Sequence, residues 1–505
     1  MKNKTPKFNK TGLSKSSFVK GHQCVKALYL HKYHEEHDVE VEEPSAALQA
    51  IFSQGHVVGE LAQERHPGGL NALPNGYLGI AKGIEDTKKW MADPNVKVIY
   101  EACVTYQGVF AALDILVRDG NGWKIYEVKS STKVKHPYPL DAGLQYWVMT
   151  KLGFKVKDVF VTHINTGYER KAELDVQKLF SDSTVLTEAK SYQKEIGKKV
   201  KSFKEALSKK DIPKVEIGDH CSNPYSCDFK NHCWPEIPKY SIFDLYYGGK
   251  KSKELYERGV EFIKDIPEGT VLTPLQKMQV DAEKTGVEYV NNEEIQNFLE
   301  SIEYPIAHMD FETYNGAVPE FSNSRPYQFM LFQWSCHVQT EKASEPIHKG
   351  FLADVSQDPR VPFIEALIEA TKDAKTIFVY NIGFEVPRLK ELAKQLPHYS
   401  KDITTIIDRV VDLATPFQKK WYYTKEMKGK YSIKYVLPAI VPELTYDNLE
   451  IGNGGDASSS FLNLKHESNQ DVINTTRENL IEYCQRDTYA MVKLLEKLYD
   501  VSCVI

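Results

Sequence analysis

Residues 304–314 read YPIAHMDFETY, an apolar run that ends in two carboxylates, Asp310 and Glu312. Side chains alternate along a strand, so these two acids share one face while Phe311 between them faces a core. Working outward, QFMLFQWSCHV (328–338) reads as a second strand and PFIEALIEATKD (362–373) as a helix. TIFVYN (376–381) reads as a strand, FEVPRLKELAKQL (384–396) as a helix and VVDLATPF (410–417) as a short strand or turn. TRENLIEYCQRDTYAMVKLLEKLYD (476–500) is a long amphipathic helix. Strands alternating with helices give an α/β domain with a central mixed sheet over 301–505.

Polar residues recur where these elements end. Asn381 closes a strand, and Glu385 falls in the first turn of the next helix. Tyr483 and Asp487 are spaced i, i+4 and stack on one helix face. Four carboxylates can hold two divalent ions, which activate water and stabilise a leaving 3′ oxygen in phosphodiester hydrolysis. The tyrosine is placed to orient that water. Asp412 is a second candidate for the carboxylate expected at Glu385.

The first half holds a second pattern. VKVIYEACVTY (96–106) and VFAALDILVRD (109–119) read as strands, followed by the turn Asp119-Gly120-Asn121-Gly122 and the strand WKIYEVKSS (123–131). A Gly/Asn turn between β-rich runs predicts a hairpin. It would set Asp114 beside Glu127 and Lys129, which share a face because Val128 intervenes. Two carboxylates suit Mg2+ or Mn2+, and the lysine suits water activation and phosphate charge. PLDAGLQYWVMTK (139–151) is a predicted helix bearing Gln145 and Tyr146. Residues 46–65 form an earlier predicted amphipathic helix, with Glu60 and Glu64 as further acids. A lysine-rich helical stretch, 186–214, reads as a solvated face. Residues 236–300 read as a connector.

HCSNPYSCDFKNHCW (220–234) spaces Cys221, Cys227 and Cys233 by five residues each. Cys24, in GHQCVKALYL, is the expected fourth thiol. Four thiolates suit zinc or an iron–sulfur cluster. Cys103, Cys336, Cys484 and Cys503 read as ordinary residues.

The 505 residues include 64 Lys+Arg and 69 Asp+Glu, a net charge of −5. That excludes a strongly basic coat protein but not an enzyme with a basic groove. Hydrophobic residues at 42% exclude predominant disorder. With no long apolar run and no apolar core in MKNKTPKFNK, neither a membrane span nor a secretory signal is expected. A cytoplasmic chain is expected.

Asp114, Glu127-x-Lys129 and Gln145-Tyr146 resemble the motifs of the PD-(D/E)XK nuclease superfamily, RecB-like branch. The resemblance implies a restriction-endonuclease-like domain over 1–235, with Asp114 and Glu127 as metal ligands and Lys129 as catalytic. Gln145 and Tyr146 would flank DNA. Where that branch places a histidine after G-x3, Gly59 stands, and Glu60 is the expected substitute. One early cysteine with three late ones is similar to the 4Fe–4S staple of the AddB helicase-nuclease and the CRISPR-associated RecB-like exonucleases. The late spacing differs from their short CxxC step, so zinc stays open. Asp310-x-Glu312, Asn381-x3-Glu385 and Tyr483-x3-Asp487 resemble the DEDD exonucleases (DnaQ-like, ribonuclease H-like fold), tyrosine subtype, over 301–505. The family usually has Asp at Glu385. Ser432 and Lys434, in YSIKYVLPAI, resemble the segment after the second motif in polymerase-type proofreading domains.

Together these resemblances imply a bacterial two-nuclease protein that hydrolyses DNA at ends or single strands, 3′ to 5′ in its C-terminal domain. Repair, recombination or defence would be its setting, and a helicase or defence partner is implied by resemblance alone. An RNA-processing exonuclease and a DNA-end-binding adaptor with attenuated sites are the alternatives.

Overall fold

The computed structural model describes residues 10–44, 46–235 and 237–502, so Cys503 lies outside the described residues. The chain is mixed α/β and divides into two compact units. Unit 1 is Met1–Pro235 with Gly316–Gln328, and unit 2 is Glu236–Asn315 with Phe329–Ile505.

Unit 1 is built on a six-stranded sheet in chain order. Its strands are β1 (Leu70–Asn71), β2 (Val98–Tyr106), β3 (Val109–Asp119), β4 (Gly122–Lys129), β5 (Val156–Ile164) and β6 (Phe180–Thr184). The Asp119↔Gly122 pair closes the predicted hairpin, and Gly120 supplies the positive φ (57°) that the turn requires. Helices α1 (Lys15–Gln23), α2 (Val25–Tyr33), α3 (Ala46–Glu64), α4 (Ile80–Ala92), α5 (Tyr138–Lys151) and α6 (Gln193–Leu207) complete the unit. Ile125 of β4 packs in one core cluster with Phe18, Leu28, Leu140, Leu144 and Phe203 of these helices. Tyr126 and Val128 face the other way, into a cluster with Val58 and Ala62 of α3. The period of two therefore aims Glu127 and Lys129 toward the face covered by α1 and α5.

Unit 2 has a five-stranded sheet in the order β10-β9-β8-β11-β12. Here β7 is Tyr289–Val290, β8 Ile306–Tyr314, β9 Met330–Gln339, β10 Ile347–Leu352, β11 Thr376–Val379, β12 Val410–Asp412 and β13 Tyr422–Tyr423. β9 runs antiparallel to β8 and β10, while β8, β11 and β12 are parallel. The helices that matter are α7 (Pro274–Thr285), α8 (Asn292–Glu300), α9 (Arg360–Thr371), α10 (Ile382–Gln395), α11 (Ile433–Ile440), α12 (Gly454–Asn463) and α13 (Gln470–Ser502). Phe311 packs with Phe363 and Leu367 of α9 and Leu389 of α10. The opposite face is covered by Met491, Leu494, Leu495 and Leu498 of α13 with Val436 and Leu437 of α11. At ~1.5–3 kcal/mol per buried large aliphatic side chain, those α13 residues anchor the helix firmly beneath the β8 carboxylates.

Residues 236–300, expected as a connector, fold within unit 2. Val280 of α7 joins Ile242, Leu255 and Ile263 in a small core, while Ala282 joins the main one beside Ile295 and Leu299 of α8. β7 pairs antiparallel with β13. Short elements broken by Gly and Pro hide this packing from a periodicity reading.

Candidate functional site

In unit 1, β3 and β4 bring Asp114 and Glu127 together. Asp114 Oδ2 accepts from the Val128 amide at 2.7 Å. Lys129 Nζ lies 2.6 Å from Glu127 Oε1 and 2.9 Å from Asp141 Oδ2. Gln145 donates its side-chain amide to Glu127 Oε2 from α5. Tyr146, the next residue, is half-buried against the core.

In unit 1, sequence reasoning missed Lys15, Asp141 and Glu101. Lys15, the first residue of α1, places Nζ 2.9 Å from both Glu127 oxygens and 3.4 Å from Asp114 Oδ1. Asp141 comes from the first turn of α5, and its Oδ1 is buried without a partner. Glu101 falls where β2 runs opposite Asp114, and its φ of 51° breaks the regular strand. Alternation along β2 could have flagged Glu101 as an acid in an apolar strand; nothing local marks Lys15.

Burial and the neighbouring Asp114 push Glu101 up to about 7. Burial and Glu127 push Asp141 up to about 6. Burial also raises the cost of a charged Glu127, but Lys129 and Lys15 outweigh it and hold that carboxyl well below its usual range. Burial works against a charged Lys129, and Asp141 and Glu127 reverse the effect. Glu60 and Glu64 do not join this group. Both are exposed on α3, whose Val58 and Ala62 pack on the sheet face opposite Glu127.

Cys24, Cys221, Cys227 and Cys233 line one small cavity, together with Phe229 and Trp234. Cys24 feels the charges of Cys221 and Cys233, and Cys227 those of Cys24 and Cys233. Cys24 stands at the junction of α1 and α2, with an extended φ/ψ of −157°/120°. Cys103, in β2, is buried in the core away from this group.

In unit 2, Asp310, Glu312, Glu385, Tyr483 and Asp487 line one cavity of about 320 Å3. Phe329, Phe384, Lys434 and Gly454 line it too. Among the described residues, ligand atoms of Asp310, Glu312 and Cys484 lie within 4.8 Å of one another. Cys484 was expected to be an ordinary residue; it follows Tyr483 on α13 and stands beside the β8 backbone, Sγ 3.9 Å from Asp310 O.

Burial, with Asp487, pushes Glu312 up to about 8. Burial, then Asp412 and Glu312, push Glu385 up to about 8, and its Oε2 is buried with no partner. Asp310 is raised by burial and by Asp487, Glu312 and Glu385. Asp487 reaches about 6 through burial, offset by the Tyr446 and Tyr483 hydroxyls and Lys434. A pocket of mutually repelling carboxyls, one oxygen orphaned, is a donor set that divalent cations fit. The orphaned Asp141 Oδ1 gives unit 1 the same property.

Asp412 acts on Glu385 by its charge but does not line this cavity. Its oxygens accept from the amides of Asn381 (3.1 Å), Ile382 (3.1 Å) and Ala414 (2.9 Å), capping the start of α10. Lys434, the second residue of α11, donates to Gly452 O at 2.6 Å and lies over the rings of Tyr446 and Tyr483. Ser432 precedes α11 without a side-chain capping bond. Gly454 opens α12 beside Glu312: a Cβ there would sit 3.1 Å from Glu312 Oε2. Tyr446, Phe329 and Phe384 were not foreseen, because nothing local distinguishes them from core aromatics.

A family model described as "Domain of unknown function (DUF2779)" matches residues 307–432. The match takes in Asp310, Glu312 and Glu385 and stops short of Tyr483 and Asp487. No curated protein matches the chain.

Proposed function

We propose that the chain is a metal-dependent nuclease that hydrolyses phosphodiester bonds of DNA, with a DEDD-type 3′ to 5′ exonuclease site in unit 2 and a RecB-like PD-(D/E)XK site in unit 1. The observation that carries this reading is the convergence of Asp310, Glu312, Glu385, Tyr483 and Asp487, from three elements, on one cavity. Asp310, Glu312 and Asp487 would hold Mg2+ or Mn2+, and Glu385 would complete the set. When bound, such ions supply charge neutralisation at the phosphate and a more acidic water. Tyr483, which lines the same cavity, would orient that water. Phe329 and Phe384 give an apolar wall against which a terminal base can stack.

In unit 1, Asp114 and Glu127 would hold the metal, and Lys129, kept protonated by Asp141 and Glu127, would face developing phosphate charge. The four gathered thiols support a 4Fe–4S cluster that ties the start of unit 1 to its end, with zinc as the alternative. Repair, recombination or defence would be the setting that the nuclease resemblance implies.

The test uses 5′-labelled single-stranded DNA and RNA of equal sequence with Mn2+. A DNA ladder shortening from the 3′ end supports the proposal. Preferential RNA trimming favours the RNA-processing alternative, and binding to DNA ends without cleavage favours the adaptor.

A further inference from the structure

Lys15 stands among the carboxylate oxygens proposed to hold a divalent cation in unit 1. Its Nζ is 2.9 Å from Glu127 Oε1, 2.9 Å from Oε2 and 3.4 Å from Asp114 Oδ1. Asp114 Oδ2 is already engaged by the Val128 amide, and the Glu127 oxygens are shared with Lys129 and Gln145. Every carboxylate oxygen that Asp114 and Glu127 could turn to a metal is therefore already engaged, most of them by Lys15. An Mg2+ ion demands oxygens at about 2.0–2.1 Å. An ammonium touching the same oxygens would be pressed against that ion, like charge on like charge.

The backbone beneath Lys15 is fixed. Leu13 exchanges hydrogen bonds with Gly108 O (3.0 Å) and the Phe110 amide (2.8 Å), and Ser14 and Ser17 close a capping box at the start of α1. The side chain is not fixed in the same way. It retains 24% exposure, so its flexible four-carbon stem has an exit to solvent. Lys129 differs, because Asp141 holds it from the other side.

We propose that Lys15 is the resident counter-ion of the unit 1 carboxylates, and that metal loading there is an exchange in which Lys15 leaves Glu127 and Asp114. This rests on the reading that these carboxylates take a divalent ion. It makes α1 part of the site: Lys15 holds the acids together before metal arrives and sets the concentration at which metal enters.

The test is Mn2+ binding by calorimetry to the metal-free full chain. All proteins carry Asp310→Asn and Asp487→Asn, which removes the unit 2 contribution. Lys15→Met should bind Mn2+ at least tenfold more tightly than the parent, while Lys15→Arg, which keeps the cation, should not. In the parent, reductive methylation of Lys15, read by mass spectrometry, should rise several-fold on adding Mn2+. Equal or weaker Mn2+ binding by Lys15→Met overturns the exchange while leaving the metal reading standing. Absence of Mn2+ binding in the parent and both variants overturns both. If Lys15→Met does not fold, labelling of the parent decides: unchanged Lys15 reactivity with bound Mn2+ overturns the proposal.

Discussion

The Tyr446 hydroxyl donates to Asp487 Oδ1 at 2.6 Å. Tyr446 lies in the loop between α11 and α12, so a residue outside the recognisable motifs orients an acid of the proposed metal pair. Partners of this kind are typically worth 10–100-fold in metal affinity or activity. Tyr446→Phe should therefore weaken Mn2+ binding and exonuclease rate by ~10-fold or more. The check is Mn2+ titration of activity beside the thermal midpoint. An unchanged Mn2+ dependence would remove Tyr446 from the site.

The raised carboxyls of unit 2 have a consequence for stability. Glu312 and Glu385 sit at about 8 in the fold against a usual 4.5. The folded state therefore holds extra protons between these values. That contribution to stability is complete below about pH 4.5 and is lost as pH rises through about 8. The thermal midpoint of the metal-free chain should fall over this window, and Glu385→Gln should flatten the fall. Mn2+ should raise the midpoint more at about pH 8.5 than at about pH 6, because binding must displace protons.

Asp412 offers a contrast. It accepts from the Asn381 and Ile382 amides at the start of α10 and from the Ala414 amide beside it. Asp412→Ala should cost ~0.5–2 kcal/mol in stability, as helix-cap losses do. Mn2+ affinity of the folded protein should stay close to that of the parent. Denaturant melts paired with Mn2+ titration separate the two effects.

Much of this was legible in the sequence because strand alternation is local. Asp310, Phe311 and Glu312 could be assigned to faces from a period of two, and the hairpin at Gly120 from its turn residues. The i, i+4 spacing of Tyr483 and Asp487 likewise fixed a shared helix face. Long-range convergence was harder to read. Lys15 is 112 residues from Glu127, and only the folding of α1 across the sheet brings them together. Glu385 was expected at the site with Asp412 as a second candidate, because Glu385 opens a helix after one strand and Asp412 closes another. The packing of 236–300 was hidden because its apolar residues divide between a small cluster of their own and the main core of unit 2.

The cysteines should behave as a set. Any of Cys221→Ala, Cys227→Ala or Cys24→Ala should abolish visible absorption of anaerobically purified protein and lower its thermal midpoint. Cys103→Ala, buried in the core of β2, should leave the spectrum intact. A colourless parent that contains zinc would replace the cluster by a zinc site.

The most direct measurement is the Mn2+-dependent degradation of end-labelled single-stranded DNA by the parent, Asp310→Ala and Lys129→Ala proteins. The parent should shorten DNA from its 3′ end, and chelation should stop it. Asp310→Ala should lose that activity by more than about 100-fold, since even outer partners of a metal site are worth 10–100-fold. Lys129→Ala should spare it while removing the second activity. A parent that cleaves neither DNA nor RNA, or cleavage that neither substitution changes, would contradict the two-site nuclease.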